Sequence, residues 1–237
     1  MAKEEIKGLE DALKQAAESL EAVGRVLVDK GLEDAAERVA DTLGAVGEAA
    51  VDKGFEDAAM HTVKSLEAVG RAAAEMGLYF ASGRVAESLG AVGGVAADKG
   101  FEEAARQAAE SLGAVGRAAA DKGLDFGGWH AALSLGAVGR AAADKGLGAA
   151  ARQAADSLEA VGKAAVEKGL EHSAEQAARS LAFMTLSSEE LVNIPSSEEL
   201  LYPTIRKYGS HLTKKERASV QRFKDLHDEN LKRFRAE

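Results

Sequence analysis

A six-residue phrase, Ser-Leu-Glu/Gly-Ala-Val-Gly, recurs along this chain at intervals of 23 residues. A fixed period of this length is the sequence signature of a repeat architecture, in which similar units stack and bury their apolar faces against one another. The phrase begins at Ser19, Ser65, Ser88, Ser111, Ser134 and Ser157, with a Thr variant at Thr42 and a degenerate copy at Ser180. Seven to eight copies are therefore present.

One repeat has the apolar spacing of a single helix. Within 32–54, apolar residues follow each other at steps of 4, 3, 4, 3 and 4 and share one stripe at 100° per residue. The stripe continues across two internal glycines, which favours one helix of about 20 residues, roughly 30 Å long. The alternative is a first helix that ends at the inner glycine, followed by a very short second helix. The stripe consists of Leu32, Ala36, Val39, Leu43, Val46 and Ala50.

The ends of the repeat indicate where each helix stops. Glu33 and Asp34 place negative charge in the first turn, and Lys53 places positive charge in the last, as the helix dipole favours. Gly54 can adopt the left-handed conformation that ends a helix, and the following Phe55 can fold back in a Schellman motif. Because so short a link makes neighbouring helices antiparallel, we predict an all-α helical-repeat solenoid of antiparallel helices, about 20 residues each.

A second glycine recurs inside every predicted helix. Glycine in a helix interior costs about 1 kcal/mol relative to alanine, so its repetition needs a compensating benefit. Close approach of a neighbouring helix is the benefit that we expect. These structural glycines are Gly24, Gly47, Gly70, Gly93, Gly116, Gly139 and Gly162.

Composition excludes several classes of protein. Cysteine is absent, so disulfides, thiolate metal sites and cysteine nucleophiles are excluded. No signal-peptide pattern and no run of 18 apolar residues occurs, which predicts a cytoplasmic protein without a membrane span. The formal net charge is −9. The acidic balance of residues 1–200 argues against nucleic-acid binding by the repeats.

Segments such as RVAESLGAVG at 84–93 and AAESLGAVG at 108–116 resemble the first helix of HEAT-like repeats of the phycobilisome-lyase type. The resemblance covers roughly residues 9–186. It implies a solenoid with a partner-binding surface and carries no catalytic residue. The family's repeat is longer and has two helices, and its second helix has no counterpart here.

Departures from the consensus are the candidates for a specific site. Tyr79 and Phe80 open repeat four, and Phe126, Trp129 and His130 lie at the start of repeat six. If helices alternate in direction, these residues lie at the same end of the array, where the consensus is polar or charged. Clustered exposed aromatics suit a contact with a partner protein. The alternatives are aromatics that fill local gaps and a small-ligand pocket.

Nothing in the sequence indicates catalysis or a cofactor. His61 and His130 occupy a repeat position on the predicted polar face, so we expect both to be solvated. No pair of histidines has metal-ligand spacing, and no phosphate-binding glycine loop occurs. We therefore expect no catalytic, cofactor-binding or metal-binding residues and no enzyme activity.

The repeat decays near its last copy, which divides the chain into an array at 1–186, with repeats counted from Leu9, and a segment at 187–237. The segment ends in a predicted basic helix at 213–235. A helical cap over the last repeat is the interpretation that solenoids favour. A partner-docking helix and binding to nucleic acid or a membrane surface are the alternatives.

The pattern as a whole favours a non-catalytic scaffold that binds another protein, with self-association possible. The alternative is a lipid-surface or stress-protectant protein built from amphipathic repeats. Regular helix stops argue for packed tertiary structure and against that alternative.

Overall fold

The computed structural model describes residues 2–187, and every regular element in this range is an α-helix. Seven two- to three-residue turns join the helices, so each helix reverses the direction of the previous one. The helices are α1 (Ala2–Asp29), α2 (Glu33–Asp52), α3 (Glu56–Glu75), α4 (Tyr79–Lys99), α5 (Glu102–Asp121), α6 (Asp125–Asp144), α7 (Gly148–Lys168) and α8 (Glu171–Ser187).

Each 23-residue repeat forms one helix, as the spacing of the apolar residues predicts. The inner glycine of the second repeat, Gly47, lies in the middle of α2, and α2 continues to Asp52. A helix break at the inner glycine, the alternative left open by the sequence, therefore does not occur. The short repeat is complete without the second helix of a HEAT-like unit.

The turns are Schellman motifs, which confirms the prediction from the terminal glycines. At the first turn Gly31 has φ of 67°, its N–H donates to the Val28 carbonyl, and the Leu32 N–H donates to the Leu27 carbonyl at 2.9 Å. The same pair of hydrogen bonds recurs at the six later turns. Only glycine adopts such a positive φ without strain, so the period of the sequence is fixed by its turns.

The helices stack in two layers. Each helix contacts both the next helix and the next but one, so α1, α3, α5 and α7 form one layer and α2, α4, α6 and α8 the other. Between the layers lies an apolar core whose largest fully buried side chains are one leucine from each of six consecutive repeats. They are Leu43, Leu66, Leu89, Leu112, Leu135 and Leu158. Helices within one layer run parallel.

Close helix approach explains the inner glycines. A Cβ built at Gly70 would lie 2.6 Å from Cγ1 of Val85 in the next helix and 2.9 Å from Cγ2 of Val115 in the next but one. A Cβ at Gly116 would lie 2.8 Å from both Ala131 and Val161. All four distances are well inside van der Waals contact, so Gly70 and Gly116 each receive a valine from the helix two positions ahead. Gly24, Gly47 and Gly93 have the same valine contact, whereas Gly139 meets Met184 and a Cβ at Gly162 would meet only Ala177, at 3.2 Å.

Among the described helices, none combines the length and apolarity that a membrane span requires. The predicted cap and the basic helix at 213–235 lie outside the described residues. The division of the chain at residue 186 stays a prediction.

Candidate partner-binding patch

Carboxylates in the first turns connect helices of the same layer. Oε1 of Glu33 in α2 accepts hydrogen bonds from the backbone N–H groups of Phe80, at 2.6 Å, and Ala81, at 3.3 Å, in α4. Glu102 binds Ala149 N–H in the same way, two helices on. The residue before each of α2 to α7 is Leu or Phe and offers no side-chain cap. Each acid therefore satisfies orphan donors of a helix 47 residues later.

Repeat four departs from this arrangement and thereby creates the candidate site. Tyr79 stands where the neighbouring repeats have the capping acid. Its ring stacks on Phe126 of α6, with centroids 5.1 Å apart and planes inclined by 25°. An aromatic contact thus replaces the carboxylate link between α4 and α6.

Further rings extend this contact into a cluster. Phe80 meets the edge of Phe126 at 5.5 Å and lies 5.2 Å from Tyr79. The His130 imidazole packs between two rings, 4.2 Å from Phe126 and 4.7 Å from Trp129. All five residues named from the sequence thus lie in one connected group at the N-terminal ends of α4 and α6. Ring pairs in these geometries are worth about 0.5–1.5 kcal/mol beyond their buried area.

Glycines next to the cluster make room for it. A Cβ at Gly83 would lie 2.5 Å from Cε1 of Phe126, so the absent side chain of α4 leaves space for the Phe126 ring. Gly127 and Gly128 are both buried in α6. A Cβ on either would lie 2.6 Å from a serine hydroxyl, that of Ser82 or Ser173 respectively. Phe126 is thus partly a space-filling residue, the alternative reading of the sequence.

The outer part of the cluster is open to solvent. Tyr79 is 40% exposed and Phe80 53%, while Phe126 and Trp129 are half-buried. Leu133, which is 43% exposed, continues the stripe one turn beyond Trp129. From Phe126 to Leu133 the stripe is about 10 Å long. We call Tyr79, Phe80, Phe126, Trp129 and Leu133 the aromatic patch.

Sequence reasoning missed Leu133. The signal was available, because the equivalent position carries a charged residue in the other repeats. These residues are Glu18, Asp41, Lys64, Glu87, Glu110, Asp156 and Arg179. An aliphatic side chain at a position that is charged in the other repeats indicates that this surface has a different environment in repeat six.

The predicted solvation of His130 is wrong. His130 is only 8% exposed, because Phe126 and Trp129 cover its ring and α4 packs close to the ring at Gly83. Nδ1 of His130 lies 3.0 Å from Oε1 of Glu87. Burial lowers the pKa of His130, and this outweighs the opposing effect of Glu87. His61, at the same repeat position, keeps a side chain that is 35% exposed.

Charged groups flank the patch on α4. Arg84 donates to Glu87 at 2.8 Å and lies 3.4 Å from a carboxylate oxygen of Asp41 in α2. Glu87 in turn faces His130. The chain of ion pairs therefore crosses three helices of one layer and ends at the buried histidine beneath the rings.

A second polar cluster lies beside the patch, between α6 and α8. Asp125 accepts hydrogen bonds from the Ser173 N–H at 2.9 Å and the Ser173 hydroxyl at 2.7 Å, and Oδ2 lies 2.7 Å from Nδ1 of His172. Burial raises the pKa of Asp125, but these bonds outweigh burial and lower it. The bond to Asp125 raises the pKa of His172.

This cluster does not have the geometry of a nucleophilic triad. In a triad the histidine accepts a proton from the serine hydroxyl. Here the Ser173 hydroxyl lies 2.7 Å from both Oδ1 and the backbone carbonyl oxygen of Asp125, which share its single proton, and His172 binds the other oxygen of the same carboxylate. The arrangement caps the first turn of α8, as Glu33 caps α4.

No group of three or more His, Asp or Glu side chains converges for metal binding within residues 2–187. A cleft of 620 Å³ lies in the other layer, between the C-terminal halves of α3 and α5. Its walls include Arg71, Glu75, Arg117 and Asp121, so charges of both signs face it.

No family model and no curated protein matches the chain. Among solved structures it is similar to the "DHF46 filament", with a TM-score of 0.59 at 17% identity over 75% of this chain and 99% of that one. A "circular tandem repeat protein with novel repeat topology and enhanced subunit contact surfaces" aligns with a TM-score of 0.44 at 17% identity, over 86% of this chain and 52% of the other. At these identities the first match supports the helical-repeat fold alone, and the second carries no argument.

Proposed function

We propose that this protein is a non-catalytic scaffold whose aromatic patch binds an apolar surface of a partner protein. The observation that carries the proposal is the exposure of Tyr79, Phe80 and Leu133, at 40%, 53% and 43%, at positions that carry a charged residue in most other repeats. Contiguous exposed apolar groups with a polar rim mark interaction sites on proteins.

The patch has the properties of a binding hot spot. Tyrosine and tryptophan are enriched among residues that dominate binding energy. The stacking of Tyr79 on Phe126, and the packing of His130 against Phe126 and Trp129, hold the rings in place before a partner arrives. Because less conformational freedom is then lost on binding, a prearranged patch binds more tightly than a mobile one.

Charges around the patch supply specificity. Arg84 and Glu87 lie on one side, and His172 with Asp125 on the other. An apolar partner segment flanked by charges of both signs would match this rim, since complementary rim charges select partners more than they add affinity. We propose that the protein acts in the cytoplasm, and that its kinship is with HEAT-like repeats of the phycobilisome-lyase type.

The experiment is affinity capture from the source cells with the full chain as bait. Leu133→Lys changes a side chain that is 43% exposed, so the fold should be retained. Met76→Lys is the matched control, because Met76 is an equally apolar residue, 52% exposed, in the turn after α3 and outside the patch.

A stoichiometric partner should be captured by the native chain and by Met76→Lys, and its affinity should fall about tenfold or more for Leu133→Lys. Capture that is equally strong with Leu133→Lys would place the binding surface elsewhere. A chain that captures no protein would remove the support for a scaffold.

A further inference from the structure

No described helix covers one face of the array, although residues of the same type are buried in the later helices. This face lies on α1 and α2. It is the side that, in each later helix, packs against the helix two positions earlier in the chain. Val23 and Val26 of α1 form its centre, together with Thr42, Val46 and Ala49 of α2. We call these residues the N-terminal face.

Comparison with equivalent residues shows that this face suits burial. Val69 of α3, which corresponds to Val23, is fully buried and packs where a Cβ at Gly24 would lie. Val23 itself is 50% exposed and Val26 is 52% exposed. The full burial of the valine is repeated in later helices, at Val92, Val115, Val138 and Val161.

A terminal repeat of a solenoid normally has a polar outer face, which keeps the array soluble. Here Ser19, Ala22 and Val23 are exposed, and none of these three positions carries a charged residue. The small side chains also allow a second helix to approach closely. The N-terminal face therefore has the surface of an interior contact.

We propose that the N-terminal face packs against the same face of a second copy of this chain, related by a two-fold axis. Two-fold dimers are the commonest protein oligomers, and they bury one self-complementary patch on both copies. The axis makes each helix antiparallel to its mate. Lys30 and Lys53, which directly follow the last residues of α1 and α2, then lie near acids of the facing helices, such as Asp11 in the third turn of α1 and Asp34 in the first turn of α2. These lysines therefore offer a charge opposite to that of the facing carboxylates.

The size of the face also fits a dimer. Two helices of 20 residues, each about 30 Å long and about 9 Å apart, present roughly 500 Å² per copy. The total of about 1,000 Å² is near the lower limit of specific interfaces. The dimer should therefore dissociate on dilution through the micromolar range.

Head-to-tail stacking on the other end of the array fits less well. In the repeats, each valine at this position packs against the inner glycine two helices before. Repeat seven has that glycine, Gly162, but repeat eight has Thr185 in its place. In a head-to-tail stack, only one of the two positions that should accept a valine of the second copy would therefore be a glycine. The two-fold arrangement is favoured for this reason.

Sedimentation equilibrium of the full chain tests the proposal. The native chain should show a monomer–dimer equilibrium without larger species. Val23→Arg should weaken it at least tenfold, because two buried cations would face each other across the axis. Met76→Arg is the matched control, since it makes the same kind of change at a side chain that is 52% exposed and lies outside the N-terminal face and the aromatic patch. Leu133→Arg on α6 tests the aromatic patch separately. Circular dichroism melting should show that the three variants keep the fold.

Three results would overturn the proposal. A native chain that stays monomeric at all concentrations would mean that the N-terminal face is solvated or covered by the chain itself. Open-ended growth would indicate head-to-tail stacking. A dimer lost in Leu133→Arg but kept in Val23→Arg would make the aromatic patch the self-association surface. Loss of partner capture leaves this dimer unaffected, so the two proposals fail separately.

Discussion

Two adjacent glycines in α4 give a sharp test of the packing. Gly93 and Gly94 both lie inside the helix, so replacement by alanine should stabilise the helix by about 1 kcal/mol in each case. Their surroundings differ. A Cβ at Gly93 would lie 2.7 Å from the Cβ of Ala108 and 2.9 Å from Cγ2 of Val138, whereas a Cβ at Gly94 has no neighbour within 4 Å.

The magnitudes follow from these distances. The Cβ of Ala108 is attached directly to its backbone and cannot rotate away, so Gly93→Ala must push α5 outward by about 1 Å to reach normal contact. Overpacking of this kind costs about 1–3 kcal/mol, and crowding of Val138 places this site in the upper part of that range. After subtraction of the gain in helix propensity, Gly93→Ala should destabilise the protein by about 1–2 kcal/mol.

Urea unfolding followed by circular dichroism measures both variants. Relative to the native chain, the midpoint should rise for Gly94→Ala and fall for Gly93→Ala. The two variants should differ by about 2–3 kcal/mol, or several degrees in melting temperature. If Gly93→Ala is as stable as Gly94→Ala, close approach is not why the inner glycines recur, and the packing argument is refuted.

Further predictions concern the caps and the histidines. Glu33→Ala should cost about 1 kcal/mol in urea unfolding because α4 loses its cap, whereas Asp34→Ala, in the same turn, should change little; equal effects would refute the cross-repeat cap. Burial lowers the pKa of His130 in the folded chain. As the pH falls below about 6.5, the unfolded chain therefore binds more protons than the folded chain, and the unfolding free energy decreases. His130→Gln should remove part of this decrease between pH 7 and pH 5, and an unchanged pH profile would contradict it. For His172, whose pKa is raised by Asp125, the contribution is present below about pH 6.5 and is lost as the pH rises through the folded pKa. His172→Gln should therefore destabilise at pH 5.5 and not at pH 8, and a loss equal at both pH values would rule out the ion pair.

The fold follows from the sequence wherever its causes are local. Gly54 and Phe55 specify a Schellman turn within six residues, and the apolar stripe of 32–54 specifies one helix. Seven similar turns then leave little choice but an antiparallel array. The inner glycines also point to close helix contacts, because only a packing benefit can offset their repeated cost.

The candidate site could be predicted less completely from the sequence, because contacts between different helices form it. Glu33 accepts a hydrogen bond from the first turn of α4, 47 residues later, and no residue near Glu33 in the sequence indicates this partner. His130 occupies a position that is polar in other repeats, but here Phe126 and Trp129 of its own helix cover it. Leu133 was identifiable from the charged residues at equivalent positions.

The binding of a partner at the aromatic patch can be measured directly through Trp129, the only tryptophan of the chain. Incorporation of 5-fluorotryptophan gives a single ¹⁹F resonance that reports on the centre of the patch alone, whatever aromatic residues the partner contains. Titration with the captured partner should shift or broaden this resonance in a saturable way, with the same dissociation constant as sedimentation gives. A partner that binds by sedimentation and leaves the Trp129 resonance unchanged would contradict the account.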